Sequence, residues 1–220
     1  MCAVWEQPTL VEHLPMKSLV LRLFQIPIVL FLTSTMSFAQ HIFPESLAQE
    51  AEHALSFYPE LKETKIQIRL KRNIKGSTMQ ARPTFWSLFT RKRNRKYLIL
   101  VSETLQISDT TFTTEHLDSD ILIGWLGHEL GHIMDYRERS SLNLLWFGIK
   151  YLFSGSYIKE VERAADTYAV RANMERYILK TKRFILGRAD ISKRYKQKIK
   201  KYYLSPDEIL ALVKQREEDQ

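Results

Sequence analysis

The chain has 220 residues, enough for one domain plus a targeting segment, and its 45% hydrophobic content is ordinary for a globular protein. Its formal charge of +8 suits an anionic membrane surface, an acidic partner or nucleic acid, and selects none of them. The single cysteine, Cys2, excludes a disulfide framework.

Residues 1–15 suggest no element. From Met16 the pattern changes: Lys17 and Arg22 form a basic start, Leu23 to Thr33 is a short apolar run, and Ser37-Phe38-Ala39 is a small-x-small site before Gln40. This is the plan of a secretory signal peptide, with Met16 as the true start, residues 1–39 removed and 40–220 forming a single domain. The alternative is an uncleaved N-terminal anchor. The expected location is therefore periplasmic or secreted, in a mature chain without cysteine.

Pro44 to Tyr58 reads as a helix, with Pro44 tolerated in its first turn. Lys65 to Lys71 alternates apolar and polar residues and is a half-buried strand. Asn73 to Gly76 is turn-like, and Thr78 to Arg82 is a second strand stopped by Pro83. Thr84 to Phe89 is aromatic and ambiguous. Arg91 to Lys96 is a basic run, read as a loop tip, that leads into the strand Tyr97 to Val101. The expected fold class is α+β: a mainly helical domain with a small, mostly antiparallel sheet packed on the helix described next.

That helix carries His128-Glu129-Leu130-Gly131-His132, the H-E-x-x-H pattern. Histidines four residues apart leave the same helix face, so their imidazoles can grip one divalent metal, zinc above all. Glu129 lies about 100° round the helix from His128 and can take a proton from a metal-bound water without being a ligand. Ile121, Leu122, Ile123, Trp125, Leu126, Leu130, Ile133 and Met134 make the helix apolar nearly all round, hence buried. Polar groups inside such a helix need partners, and a metal supplies them.

The third ligand follows by elimination. No histidine comes after His132, and Asp135 and Glu138 hold the positions where metzincins need Gly and His. A carboxylate from a second helix remains. In Tyr157 to Ala172 the apolar face runs through Ile158, Val161, Ala165 and Ala169, and Glu162 points into it. Asp166 shares that face and can accept the second N–H of a ligand histidine.

His128-Glu-Leu-Gly-His132 followed by Glu162-Arg-Ala-Ala-Asp166 resembles the paired motifs of the HtpX-type and CAAX-prenyl-protease-type zinc metallopeptidases, which are gluzincins. Tyr97 to Ser102 is similar to the strand that lines the substrate cleft in that family, and Asp118 to Leu126 to its acidic helix start. The resemblance covers roughly 77–170. It implies one Zn2+ per chain on His128, His132 and Glu162, with Glu129 as general base, in a short, soluble or peripheral member. A tyrosine, arginine or histidine usually assists the oxyanion; Tyr136, Tyr168 and Arg171 are candidates here. An edge strand beside the metal would hold an extended peptide by strand addition.

Leu142 to Phe153 is too short to span a bilayer. Its default reading is a buried helix covering the site; the sharper one is a peripheral membrane contact helped by Trp146 and Lys150. Arg171 to Lys201 holds twelve basic and two acidic residues, read as helices with solvated basic faces. Ser205-Pro206-Asp207-Glu208 opens a last helix with a capping box. The function expected is a zinc metalloendopeptidase acting on exported or envelope proteins. The alternative is an exported, zinc-stabilised binding module without proteolytic activity. No nucleic-acid partner is expected, because no basic–aromatic binding motif occurs.

Overall fold

A computed structural model describes residues 41–72, 74, 77–107, 110–113, 117–188 and 191–219, with side chains left aside at 105–107 and 110–112. The signal-peptide reading of 1–39 and most of the turn at 73–76 lie outside these residues. The fold is α+β and mainly helical. Helix α1 (Ala48–Ser56) follows a 3-10 turn, Glu45–Leu47. Strands β1 (Lys65–Lys71), β2 (Met79–Pro83) and β3 (Lys96–Ser102) form one sheet, and β4 (Thr104–Ile107) and β5 (Thr110–Thr113) a separate antiparallel ribbon. Six helices follow: α2 (Ser119–Glu138), α3 (Ser141–Phe153), α4 (Gly155–Arg171), α5 (Glu175–Gly187), α6 (Lys193–Tyr202) and α7 (Pro206–Glu218).

The sheet is mixed, not mostly antiparallel as the alternation suggested. Its order is β1-β3-β2, with β3 parallel to β1 and antiparallel to β2. The cause is the apolar content of β3. Residues 97–102 of this strand are all buried, so it is covered on both faces and takes the centre. The chain leaves β1, lays down β2 one place away and returns β3 into the gap. This also corrects the role given to Tyr97–Ser102: β3 is central, and β2 is the edge strand that packs against α2.

Helix α2 is the centre of the described domain. Asp118 caps it, its side chain accepting from the Asp120 N–H. Helices α1, α4 and α5 and strand β2 pack round it. Close approach depends on its glycines: a Cβ on Gly131 would overlap the Ala165 carbonyl oxygen of α4, and one on Gly124 would overlap Thr181 Oγ1 of α5. The turn between α4 and α5 is closed by Asn173 at φ 61, a left-handed conformation that asparagine tolerates better than most residues.

Two surface readings change. The basic run 91–96 is not wholly a loop tip: Arg95 is buried and donates to the carbonyls of Tyr136 and Arg139 and to Ser141 Oγ. Those carbonyls lie at the C-terminal end of α2, where orphan acceptors need a donor. Helix α3 is not a buried cover either. Only Leu144 and Phe147 of it are buried, while Leu142, Leu145, Trp146, Ile149, Leu152 and Phe153 are exposed. Among the described residues, no helix is long and apolar enough to cross a membrane.

Candidate metal centre

The four-residue spacing on α2 and the close α2–α4 crossing at Gly131 set the geometry. His128, His132 and Glu162 each offer a ligand atom, all three within 4.8 Å of one another, and all three residues are buried. Glu162 Oε2 lies 3.1 Å from His128 Nε2 and 3.4 Å from His132 Nε2. On the far side of His128, Nδ1 meets Asp166 Oδ1 at 2.9 Å. The ring N–H is donated to that carboxylate, which fixes the tautomer and leaves Nε2 aimed at Glu162. His132 is placed differently: the Tyr136 ring stacks on it at 6.0 Å between centroids, and its buried Nδ1 has no hydrogen-bond partner among the described residues.

This donor set fits a divalent cation. With Nδ1–H committed to Asp166, a neutral His128 points a lone pair at a carboxylate, a repulsive arrangement unless something positive lies between them. A metal ion answers that need, and so does a proton. Burial opposes a charged His128, but the hydrogen bonds to Asp166 and Glu162 outweigh it and raise the imidazole to about 10. Burial would likewise raise Glu162, yet the two histidines hold it well below the carboxylate range. Two nitrogens and one oxygen in a buried cage are a ligand set typical of zinc.

Glu129 sits beside this cage, not in it. Its Oε2 accepts the Ala81 N–H of β2 at 2.5 Å, which leaves Oε1 without that tie. Burial raises its pKa, and the neighbouring histidines temper the rise. The backbone of β2 alternates: Thr78 O and Thr84 N–H turn towards β3, so Met79, Ala81 and Pro83 face outwards. That outer edge is already engaged. Ala81 gives its N–H to Glu129 and its carbonyl accepts from Tyr136 Oη at 3.4 Å; Met79 O accepts from Ser77 Oγ; Pro83 has no N–H. The edge expected to receive a peptide is present, and at Ala81 the site itself holds it.

A groove of about 590 Å³ opens over the cage. Its walls are β2 on one side and Leu144, Phe147, Tyr151 and Leu152 of α3 on the other, with Glu129, His132, Glu162 and Tyr203 reaching into it. Of the three oxyanion candidates, Tyr136 lines this groove. Tyr168 is half-buried on α4 outside it, and Arg171 lines a separate cavity with Arg216.

Sequence reasoning missed three residues. Tyr151 donates to Glu162 Oε1 at 2.5 Å, and burial with the Glu162 charge keeps its phenol protonated. Tyr203 lies against the His128 ring, 5.2 Å between centroids. Lys182 of α5 is buried, not on a solvated basic face, and its Nζ meets Asp166 Oδ2 at 2.9 Å. The backbone N–H of Leu204 donates to the same oxygen at 2.9 Å. Burial works against an ionised Asp166; the Lys182 charge and the His128 hydrogen bond overcome it and lower the carboxyl. One signal for Lys182 was available: it falls between Ile178 and Ile185 on the apolar stripe of its helix.

No family model, no curated protein and no solved structure matches this chain.

Proposed function

We propose that the chain is a zinc-dependent metalloendopeptidase of zincin-like build, acting on exported or envelope proteins. The observation that carries this is the position of Glu129. A carboxylate that is not a ligand stands beside a two-histidine, one-glutamate cage on the floor of a groove, with Oε2 tied to the Ala81 N–H and Oε1 left to take a proton.

Bound by His128, His132 and Glu162, zinc would polarise a scissile carbonyl and acidify water. Glu129 takes a proton on Oε1 and returns it to the leaving amine. Its Oε2, held by Ala81 N–H, keeps the carboxyl plane fixed while the proton moves. Asp166 and Lys182 hold His128 in the tautomer that presents Nε2. Tyr136, Tyr151 and Tyr203 surround the groove floor and keep their phenolic protons, since burial and the nearby carboxylates raise all three. Tyr203 can therefore donate to a developing oxyanion, and Tyr136 and Tyr151 can do so on leaving the Ala81 carbonyl and Glu162 Oε1.

The test is hydrolysis of an unfolded protein such as casein by the zinc-loaded chain, with Glu129→Gln alongside. The variant should keep its zinc and lose cleavage by a factor of at least about a hundred, as removal of a general base does. A zinc-replete Glu129→Gln protein that still cuts at the parental rate removes this reading.

A further inference from the structure

Helix α3 is apolar on two opposite faces. Leu144 and Phe147 turn inwards to the core, and Phe147 contacts Tyr136 and Tyr157. Leu142, Leu145, Trp146, Ile149, Leu152 and Phe153 share the opposite face at helical spacing and lie open to solvent, with Leu142 80% and Phe153 85% exposed. Beside α3 packs the 3-10 turn Phe85–Phe89, whose Phe85, Trp86 and Phe89 rings contact one another while all three remain exposed. The segment that follows the aromatic turn is tied to the α2–α3 joint through Arg95, which bonds Ser141, and Lys92, which donates to the Glu138 carbonyl. A soluble surface rarely leaves so many large apolar side chains together.

The two segments that carry this surface are basic. Neither 82–102 nor 139–159 contains a single Asp or Glu. The same two segments expose Arg82, Arg91, Lys92, Arg93 and Lys96 on one side and Lys150 and Lys159 on the other. Two copies meeting face to face would bring these cations together, which disfavours a homodimer. A layer that accepts indole and phenyl rings at moderate depth and offers anions around them suits every feature. That layer is the interface of an anionic bilayer.

We propose that the outer face of α3 and the aromatic turn Phe85–Phe89 form a docking surface for anionic lipid membranes. Leu145, Ile149 and Leu152 belong both to this face and to the groove wall, so docking sets the groove mouth at the membrane surface. Substrates are then segments presented close to that surface. The inference goes beyond the peptidase reading and is independent of the metal.

The experiment uses the chain as recovered from an exporting host, with vesicles of phosphatidylcholine alone and of phosphatidylcholine containing phosphatidylglycerol. The anionic vesicles should carry the protein on flotation, less so at high salt. Brominated lipid should quench Trp86 and Trp146, and the Trp86→Phe/Trp146→Phe variant should lose that quenching. Leu142→Glu/Trp146→Glu/Phe153→Glu changes only exposed positions outside the groove; it should melt as the parent does and bind at least about tenfold more weakly. Glu129→Gln should bind like the parent, so a failed docking model and a failed peptidase model give different results. Three outcomes overturn the proposal: no flotation of the parent chain, equal flotation of the triple-glutamate variant with no bromolipid quenching in the parent, or a parent dimer that this variant converts to monomer without any lipid binding.

Discussion

Lys182→Met is the sharpest probe of how the metal cage is supported. The side chains of Lys182 and Asp166 are 5% and 1% exposed, with Nζ and Oδ2 2.9 Å apart. Methionine preserves most of the volume and removes the charge. A buried carboxylate that loses its cation costs about 3–5 kcal/mol. The lower end applies here, because His128 and the Leu204 N–H still contact Asp166. At roughly 2–4 °C per kcal/mol for a domain of this size, melting of the metal-free protein should fall by about 6–12 °C. Zinc affinity should drop by about ten- to a hundredfold as His128 loses its orientation. The assays are thermal denaturation by circular dichroism and competition with a chromogenic chelator. Adding Asp166→Asn should recover part of the stability, since the unpaired charge is gone, but none of the affinity. If Lys182→Met melts within a degree or two of the parent, Lys182 does not neutralise Asp166 and the support described here is wrong.

Other perturbations test the same centre. Glu162→Ala should purify with most of its zinc missing, as read by elemental analysis; full occupancy would give the third ligand to another group. Gly131→Ala should cost about 1–3 kcal/mol in chemical denaturation, because α2 and α4 must part at Ala165. Gly148→Ala meets nothing within 4 Å and should be neutral or gain up to about 1 kcal/mol, so equal losses in the two variants would refute the crossing argument. The stability of the metal-free protein should also depend on pH in both directions. The His128 contribution is whole below the unfolded imidazole value of about 6.5 and is lost as pH climbs through about 10. The contributions of Glu162 and Asp166, both depressed, are present above the unfolded carboxylate values of about 4 and are lost as pH falls through the folded ones. Melting temperature should therefore peak at roughly pH 5 to 6.5 and decline on either side, with the alkaline decline absent in the zinc-loaded protein. A flat alkaline limb without metal would contradict the His128 assignment.

The residues that could be found in the sequence are those whose partners share their element. His128 and His132 are one turn apart, and Glu162 and Asp166 another, so helical spacing alone puts each pair on one face. Lys182 was hidden because its burial depends on a carboxylate on a different helix, and a basic stretch looks the same solvated or paired. Tyr151 and Tyr203 were hidden for the same reason. The strands could be located, but their order could not: alternation marks a strand without saying which neighbour it takes, and β3 entering between β1 and β2 is a decision of the whole sheet. Helix α3 could be recognised as apolar, yet a helix apolar on both faces does not say which face the core will use.

The hydrogen bond from Leu204 to Asp166 spans 38 residues and joins the stretch after α6 to the motif helices. A nascent polypeptide that has released α2 and α4 already owns every metal-binding atom, but it has neither Lys182 nor Leu204 to steady them. The cage has all the support described above only once the chain through Leu204 has folded against it. A chain arrested before residue 182 would hold its ligands loosely, because Asp166 would lack both the Lys182 charge and the Leu204 N–H.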